Sequence, residues 1–468
     1  MTFHIATAHG LSEGTYTANE DPENPGQGSG QGFGSGPILW LSTGDAIMGA
    51  YKRLCPGAAI IHPAKPLSPT EDHSDAYVDD TDLKVSYAGI RHPSLQEKYA
   101  SSPPIPQPPS ATLIKSTMER NMQTFECLLW SSGGRLALPK CFWYHIAYTW
   151  TSDGEWSYRR IGPDDPPLLV HASGTDEPAT PIPQRDCHVA HRALGAFIAP
   201  DGNPSEQIRV LTEKAKTFLD RMSQSTLLYP ERQLAFRSTV RPVMYYPLPA
   251  HSFSRTDLSR PQSLLNTMCL HSRGLNRHFP SALLHGPLRY RGLGETSLYA
   301  EHGGSKLVHF LHHMRRRDKG GHQLAASLAY TQLEVGTGTN FFSLDYNKWS
   351  ILCTPTWSTH LWEYLWDIGG ELRASHGAVW LPASQRTSDR FLMDIAMATA
   401  MPPNALQQIN RCRLYLQVLT IADITTADGR RIHWDYFVGH RTRGCGNRPK
   451  GLYTENGTAN SRIFFSVM

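Results

Sequence analysis

Two adjacent carboxylates, in the segment Tyr77-Val78-Asp79-Asp80, are the residues of this chain best suited to bind a metal ion. The apolar residues before them and the alternating residues from Leu83 to Tyr87 predict a strand, a turn and a second strand, with both acids at the tip of the hairpin. Carboxylates bind Mg²⁺, and two such ions about 4 Å apart stabilise the attacking and leaving oxygens of an in-line phosphoryl transfer. The motif therefore predicts metal-dependent nucleotidyl transfer, and a solvated turn with two acids is the alternative.

A glycine-rich segment upstream of these acids contains two Gln-Gly pairs, Gln27-Gly28 and Gln31-Gly32, and precedes a predicted helix that extends to about Leu54. A glycine-rich loop allows a backbone or a phosphate to approach closely, and the N-terminus of a helix favours an anion. No Gly-Lys-Ser or Gly-Lys-Thr follows, so the segment is not a nucleotide-binding P-loop. The segment therefore indicates either a loop that a backbone or a phosphate approaches closely, or a flexible turn.

Two further motifs follow downstream. Lys140 ends a Gly-x-Leu-x-Leu-x-Lys segment that begins at Gly134, and Leu194-Gly195 interrupts a strand-like stretch. With the Gln-Gly loop and the Asp-Asp hairpin, these motifs occur in the same order as in a reverse transcriptase of the retrotransposon type, which the chain resembles over roughly residues 1–200. A looser similarity to the post-palm region of non-long-terminal-repeat retroelements lies at 284–294, and the whole chain looks like an algal-type retroelement polymerase.

The resemblance implies a role for each motif in an RNA-directed DNA polymerase that uses Mg²⁺, an RNA template, a DNA primer and dNTP. Asp79 and Asp80 would bind the metal, Tyr77 would lie beside the primer terminus, and Lys140 would act on the pyrophosphate of the incoming nucleotide. Leu194-Gly195 would be the primer grip. Gln31-Gly32 fits the family's template-contacting or nucleotide-contacting motif best, and Gln27-Gly28 is the competing register.

The predicted fold is α+β: a partial polymerase palm, an antiparallel sheet with helices, followed by a helical thumb and a trailing helical domain. We predict palm over 1–200, with a proline-rich linker at 101–111 and an insertion at about 162–184. Apolar residues at helical spacing predict thumb and post-palm helices over 205–430. The helices are expected from Ser205 onward and near 257–273, 297–317, 322–334, 357–367 and 388–399, and an irregular basic tail is expected over 431–468.

The first catalytic aspartate of the family has no convincing counterpart among the acids that precede the loop. Asp21 and Glu23 lie in a polar segment with prolines at positions 22 and 25, which predicts an exposed loop. Two-metal catalysis needs carboxylates from both strands. We therefore expect the C-terminal part of a truncated polymerase, without the fingers region and the first metal ligand, and with a missing N-terminal half or a partner nuclease. The alternative is a non-catalytic relic that binds nucleic acid with its palm and thumb surfaces.

Charge and cysteine usage add weaker expectations. The net charge is only +4, but a basic run from Lys306 to Lys319 and a second one at 440–450 are candidates for phosphate contact, with a solvated cationic face as the alternative. The eight cysteines include no Cys-x-x-Cys pair, and the group Cys187, His188 and His191 is more typical of packing than of a metal site. No apolar run is long enough to span a membrane, so we expect an intracellular protein, nuclear or cytoplasmic.

Overall fold

In the computed structural model, the residues described are 2–7, 10–17, 36–77, 80–91, 110–150, 156–162, 165–372, 379–399 and 401–432. They contain both helices and short strands, so the predicted α+β class is confirmed at this level. The polymerase palm and thumb stay predictions. The chain divides into two compact units. Unit 1 comprises Met1–Ile60, Pro69–Trp143 and Gly162–Gln184, and unit 2 comprises Ile61–Ser68, Tyr144–Ile161 and Arg185–Met468.

The described strands pair only in twos. The strands are β1 Thr2–Thr7, β2 Gly10–Thr17, β3 Ala58–His62, β4 Lys65–Asp72, β5 Ser74–Tyr77, β6 Asp80–Leu83, β7 Trp143–Tyr144, β8 Tyr148–Trp150, β9 Trp156–Tyr158, β10 Leu168–Val170, β11 Thr180–Ile182, β12 Gln184–Arg185, β13 His191–Ala193 and β14 Ala196–Ile198. They form seven two-stranded sheets, which are β1–β2, β3–β4, β5–β6, β7–β12, β8–β9, β10–β11 and β13–β14.

Most of the helices lie in the second half of the chain. They are α1 Gly36–Leu54, α2 Tyr87–Arg91, α3 Ser110–Ser131, α4 Ser205–Gln224, α5 Tyr229–Ala235, α6 Arg241–Tyr245, α7 Ser259–Ser272, α8 Ser281–His285, α9 Leu298–Arg316, α10 Lys319–Val335, α11 Tyr346–Trp349, α12 Trp357–Asp367, α13 Leu392–Ala398, α14 Pro403–Leu416 and α15 Ile421–Ile424. The helices predicted from Ser205 onward are thereby confirmed, with bounds that differ by a few residues at most ends.

Helices α1 and α3 build the core of unit 1. Tyr51 of α1 is fully buried, and its ring packs edge-on against Phe125 of α3 with centroids 5.7 Å apart. Along α3 the apolar residues Met118, Met122, Phe125 and Leu129 recur at spacings of three and four, so they share one face and reach this core. That periodicity explains why the segment folds as a helix against its neighbours.

The segment 162–184, predicted as an insertion, supplies part of this core. Leu168, Val170 and Ile182, from the antiparallel pair β10–β11, are fully buried there. Leu169 between them is 52% exposed, as strand alternation requires. The predicted linker lies mostly outside the described residues, although α3 begins at Ser110. Nearly all of the predicted basic tail, from residue 433 onward, also lies outside them.

Among the described residues, unit 2 contains three apolar clusters that are built mainly by helices. The first joins α4 to α7 through residues such as Leu211, Met244 and Met268, all fully buried. The second surrounds Trp362 of α12, and the third lies between α13 and α14 around Ile409. Burying a large apolar side chain stabilises a fold by roughly 1.5–3 kcal/mol, so these clusters hold the helical part of the chain together.

Candidate functional site

The Asp-Asp segment forms the predicted hairpin. In the antiparallel pair β5–β6, Ser74 lies opposite Leu83 and Tyr77 lies opposite Asp80, so a two-residue connection joins the strands. Its residues, Val78 and the candidate ligand Asp79, lie outside the described residues, as does the side chain of Tyr77. The candidate ligand Asp80 is the first residue of β6 and is exposed.

The second strand was predicted in the wrong place. It covers Asp80–Leu83, whereas the alternating residues that suggested a strand from Leu83 to Tyr87 lead into helix α2. The cause is Ser86, whose hydroxyl accepts hydrogen bonds from the backbone N–H of Gly89 at 3.0 Å and of Ala59 at 2.9 Å. A serine that accepts from the residue three positions later starts a helix, because it satisfies an N–H that the first turn leaves free.

One face of the hairpin carries three carboxylates. Because side chains alternate along a strand, the register places Asp75, Asp80 and Asp82 on one face, with Asp75 directly opposite Asp82. Leu83 points to the other face and packs against the core of unit 1. The exposed face of β5–β6, defined by these three aspartates, is called the acidic face below.

Lys84 partly neutralises the acidic face. Its ammonium group bonds to Asp75 and, at 2.9 Å, to the buried Asp72. Burial alone would lower the pKa of Lys84, but the bonds to Asp75 and Asp72 outweigh it and raise that pKa. A cation that approaches the acidic face therefore meets a resident positive charge, which weakens its attraction to the carboxylates.

The remaining predicted site residues lie on separate elements. Lys140 is exposed at the end of a 3₁₀ turn, Leu138–Lys140, in unit 1, and among the described contacts no hydrogen bond or ion pair joins it to Asp80. Leu194 and Gly195 belong to unit 2. The four residues of the Gln-Gly loop, Gln27, Gly28, Gln31 and Gly32, lie outside the described residues.

Leu194 and Gly195 form the tight turn between β13 and β14. Their φ angles are 49° and 90°, and positive φ at both central residues is what a two-residue hairpin of type I′ needs. The hydroxyl of Tyr246 donates a hydrogen bond to the Leu194 carbonyl at 2.7 Å. Leucine rarely adopts positive φ, so this hydrogen bond and the short turn hold Leu194 in a strained conformation. The role of Leu194 and Gly195 as a primer grip stays a prediction.

The basic run near the end of α9 divides into an exposed part and a buried residue. Arg315, Arg316 and Arg317 are exposed and form what is called the arginine end of α9. Lys306, predicted to belong with them, is instead fully buried, with its ammonium 5.1 Å from the ring centre of Trp357. Burial lowers the pKa of Lys306 to about 7. Because Lys306 lies one helical turn before the buried Phe310, helical periodicity could have identified it as a core residue.

A cluster that sequence reasoning had assigned to packing lies in the turn between β12 and β13. There the potential ligand atoms of Asp186, Cys187 and His188 lie within 4.8 Å of one another. The structure joins Asp186 to this group instead of His191, whose ring lies 3.2 Å from Arg185. The pKa of Asp186 is lowered chiefly by the hydrogen bond that its carboxylate accepts from the His188 N–H, so this group carries a negative charge at neutral pH.

Neither a protein-family model, nor a curated protein, nor a solved structure matches the chain. None of the described helices is both long and apolar enough to cross a membrane.

Proposed function

We propose that this chain is a reverse transcriptase-like protein, an RNA-directed DNA polymerase of retroelement type whose nucleotidyl transfer would depend on Mg²⁺. The observation that carries the proposal is the β5–β6 hairpin, in which Asp80 directly follows a two-residue connection that contains Asp79. Asp79 and Asp80 would hold the metal. Bound Mg²⁺ would stabilise the attacking and leaving oxygens of the transfer. Lys140, exposed at the end of its turn, is free to rotate toward a pyrophosphate.

A second candidate function, nucleic-acid binding without catalysis, is favoured by two observations on the same hairpin. Among the described residues, β5 and β6 pair only with each other, so no third strand presents a further carboxylate beside Asp80. Lys84 also places a positive charge against Asp75. A site with two ligands and a neighbouring cation would hold Mg²⁺ loosely and align a 3′-hydroxyl poorly.

The arginine end of α9 is the proposed phosphate contact in both candidates. Three exposed guanidinium groups in sequence can bond to phosphate oxygens and release condensed counterions from a duplex. Each phosphate contact contributes a slope of about −0.9 to the dependence of the logarithm of affinity on the logarithm of salt concentration. Replacing all three arginines should therefore make that slope shallower by about 1–3.

One set of assays on the full chain distinguishes the two candidate functions. A polymerase should extend a DNA primer on an RNA template with Mg²⁺ and lose this activity when Asp79 and Asp80 are both replaced by Asn, while Asp220→Asn, an exposed change on α4, should leave it intact. Primer extension by the variant with both Asp79→Asn and Asp80→Asn would refute the proposed polymerase function. No extension, together with salt-sensitive duplex binding, would support the second candidate.

The binding assay has its own matched control. Duplex affinity is measured by fluorescence anisotropy over a range of salt concentrations for the variant Arg315→Gln, Arg316→Gln and Arg317→Gln. The control carries the same loss of three charges at three exposed arginines elsewhere in unit 2, namely Arg221→Gln, Arg237→Gln and Arg260→Gln. An equal loss of duplex affinity in both variants would contradict the assignment of the phosphate contact to the arginine end of α9. Absence of any salt-dependent binding by the unaltered chain would refute both candidate functions.

A further inference from the structure

The turn between β12 and β13 brings a carboxylate, a thiol and an imidazole together. The three consecutive residues Asp186, Cys187 and His188 offer ligand atoms that all lie within 4.8 Å of one another. A hydrogen bond from the N–H of Val189 to the Asp186 carbonyl, at 2.9 Å, closes the turn and holds the three residues on one side of the chain. Oxygen, sulfur and nitrogen in one group are the donor types that bind Zn²⁺ and related transition metals.

His188 is oriented by a fourth residue outside this group. Its Nδ1 lies 2.5 Å from a carboxylate oxygen of Asp201, whose side chain is only 7% exposed. Asp201 is fixed in turn, because its N–H donates to the Cys187 carbonyl at 3.3 Å. With Nδ1–H donated to Asp201, the lone pair of Nε2 is available to a metal. Metal-binding histidines in proteins almost always donate their other nitrogen to such a carboxylate or carbonyl.

The three residues of the group differ in exposure: Cys187 is buried, whereas Asp186 and His188 are partly exposed. Cys187 is 2% exposed, and its sulfur lies 3.9 Å from the Arg159 carbonyl. The Tyr158 ring packs edge-on against His188 with centroids 6.1 Å apart, which limits the movement of the imidazole. Asp186 is partly exposed, so an ion can enter from the side of its carboxylate.

We propose that Asp186, Cys187 and His188 form a binding site for a divalent transition metal of the Zn²⁺ class, with Asp201 as the positioning residue for His188. Ligand atoms bound to one tetrahedral zinc at about 2.0–2.3 Å lie roughly 3.3–3.8 Å apart. The present limit of 4.8 Å, which holds for one ring nitrogen of His188, exceeds that spacing by about an ångström, so binding requires the side chains to rotate toward the ion. Binding displaces the thiol proton of Cys187 to solvent. Three protein ligands leave the fourth position to water, as in zinc sites that are open to substrate.

Cobalt(II) is a direct probe of this site, because it enters zinc sites and shows a near-ultraviolet thiolate-to-cobalt charge-transfer band only when a thiolate is bound. The full chain, without nucleic acid or Mg²⁺, is titrated with Co²⁺, and Zn²⁺ is then added to displace it. We expect one Co²⁺ per chain with a thiolate-to-cobalt absorption band. Cys187→Ser should abolish the band, whereas Cys127→Ser, at an exposed cysteine, should retain it.

Two further variants keep the test decisive if the buried Cys187→Ser change impairs folding. His188→Gln, at a partly exposed position, should change the visible cobalt spectrum and weaken binding. Asp201→Asn should keep the spectrum but weaken Co²⁺ affinity about 10–100-fold, the effect expected of a residue that orients a ligand. A cobalt band that persists in folded Cys187→Ser protein, or affinity unchanged in both His188→Gln and Asp201→Asn, would overturn the proposal. Absence of any thiolate band in the unaltered chain would do so as well.

Discussion

Replacing Lys306 by Met should stabilise the protein at neutral pH. The side chain is fully buried on α9, and its ammonium group finds no hydrogen-bond partner among the described residues. Its compensating contacts are the ring of Trp357, 5.1 Å away, and the charge of Glu363. Burying an ammonium group without a hydrogen bond is unfavourable enough to favour its neutral form instead.

The magnitude follows from the pKa of Lys306, which burial lowers from 10.5 to about 7. Between pH 7 and about 10.5 the unfolded chain binds a proton at this lysine and the folded chain does not, so the free energy of unfolding rises with pH by about 1.4 kcal/mol per unit. Relative to a neutral side chain of similar shape, the lysine costs about 4 kcal/mol at pH 7. Methionine avoids that penalty but loses a cation–π contact of about 1–2 kcal/mol. The expected net gain is about 2–3 kcal/mol at pH 7, and it disappears near pH 10.5.

Urea unfolding at pH 7 and pH 10, followed by tryptophan fluorescence, measures this difference. The matched control is Lys216→Met, at an exposed lysine on α4, which should change stability by less than about 0.5 kcal/mol at either pH. The reasoning is refuted if Lys306→Met lowers stability at pH 7. It is equally refuted if the difference between the variant and the unaltered protein does not shrink as the pH rises.

Four further substitutions test packing, pairing and backbone strain. Gly303→Ala should destabilise the protein by about 1–3 kcal/mol, because a Cβ at this position would lie 2.1 Å from the ring of Tyr364. Gly304→Ala should instead stabilise α9 by about 0.5–1 kcal/mol, because the atom nearest to its Cβ would be 3.9 Å away. Melting temperatures of the two variants that shift in the same direction would contradict this packing. Glu295→Ala removes a carboxylate of a residue that is 6% exposed and that pairs with two arginines. Urea unfolding should therefore show a decrease of about 3 kcal/mol in the free energy of unfolding, and a decrease below about 1 kcal/mol would count against a buried ion pair. Leu194→Gly should raise stability by about 1 kcal/mol in a thermal shift assay, because glycine adopts positive φ without strain, and a decrease would show that the leucine side chain contributes more than its strain removes.

The helical half of the chain was predictable because its signal is local. Apolar residues repeat at helical spacing within each segment, and α12 has the bounds that were predicted, 357–367. The sheets were harder to predict, since short strands pair with partners that spacing does not identify. The segment 162–184 illustrates this. Its prolines and acids suggested an insertion, while the three residues that fill the core are separated from Met118 and Met122 of α3 by 46 to 64 residues in sequence.

For the candidate sites, the sequence indicated the residue types better than their surroundings. The hairpin at Asp79-Asp80 was predictable from adjacent residues, although Ser86 ended the strand region earlier than alternation suggested. Lys306 was misassigned because charge was counted along the run without regard to the helix face. The bond between His188 and Asp201 joins residues on opposite sides of the β13–β14 hairpin. It depends on a turn at Leu194-Gly195, where the sequence indicated an interrupted strand but not the pairing of its two halves.

The division of the chain into two interleaved units has a consequence for its biosynthesis. Each unit is built from three separate stretches, and unit 1 receives its last one only at Gly162–Gln184. Synthesis must therefore reach Gln184 before unit 1 has all its parts, although domains usually fold in order from the N-terminus. Until then the apolar residues of α3 lack β10 and β11, which pack against them. Nascent chains stalled before residue 162 should consequently be the ones most exposed to chaperones and to aggregation.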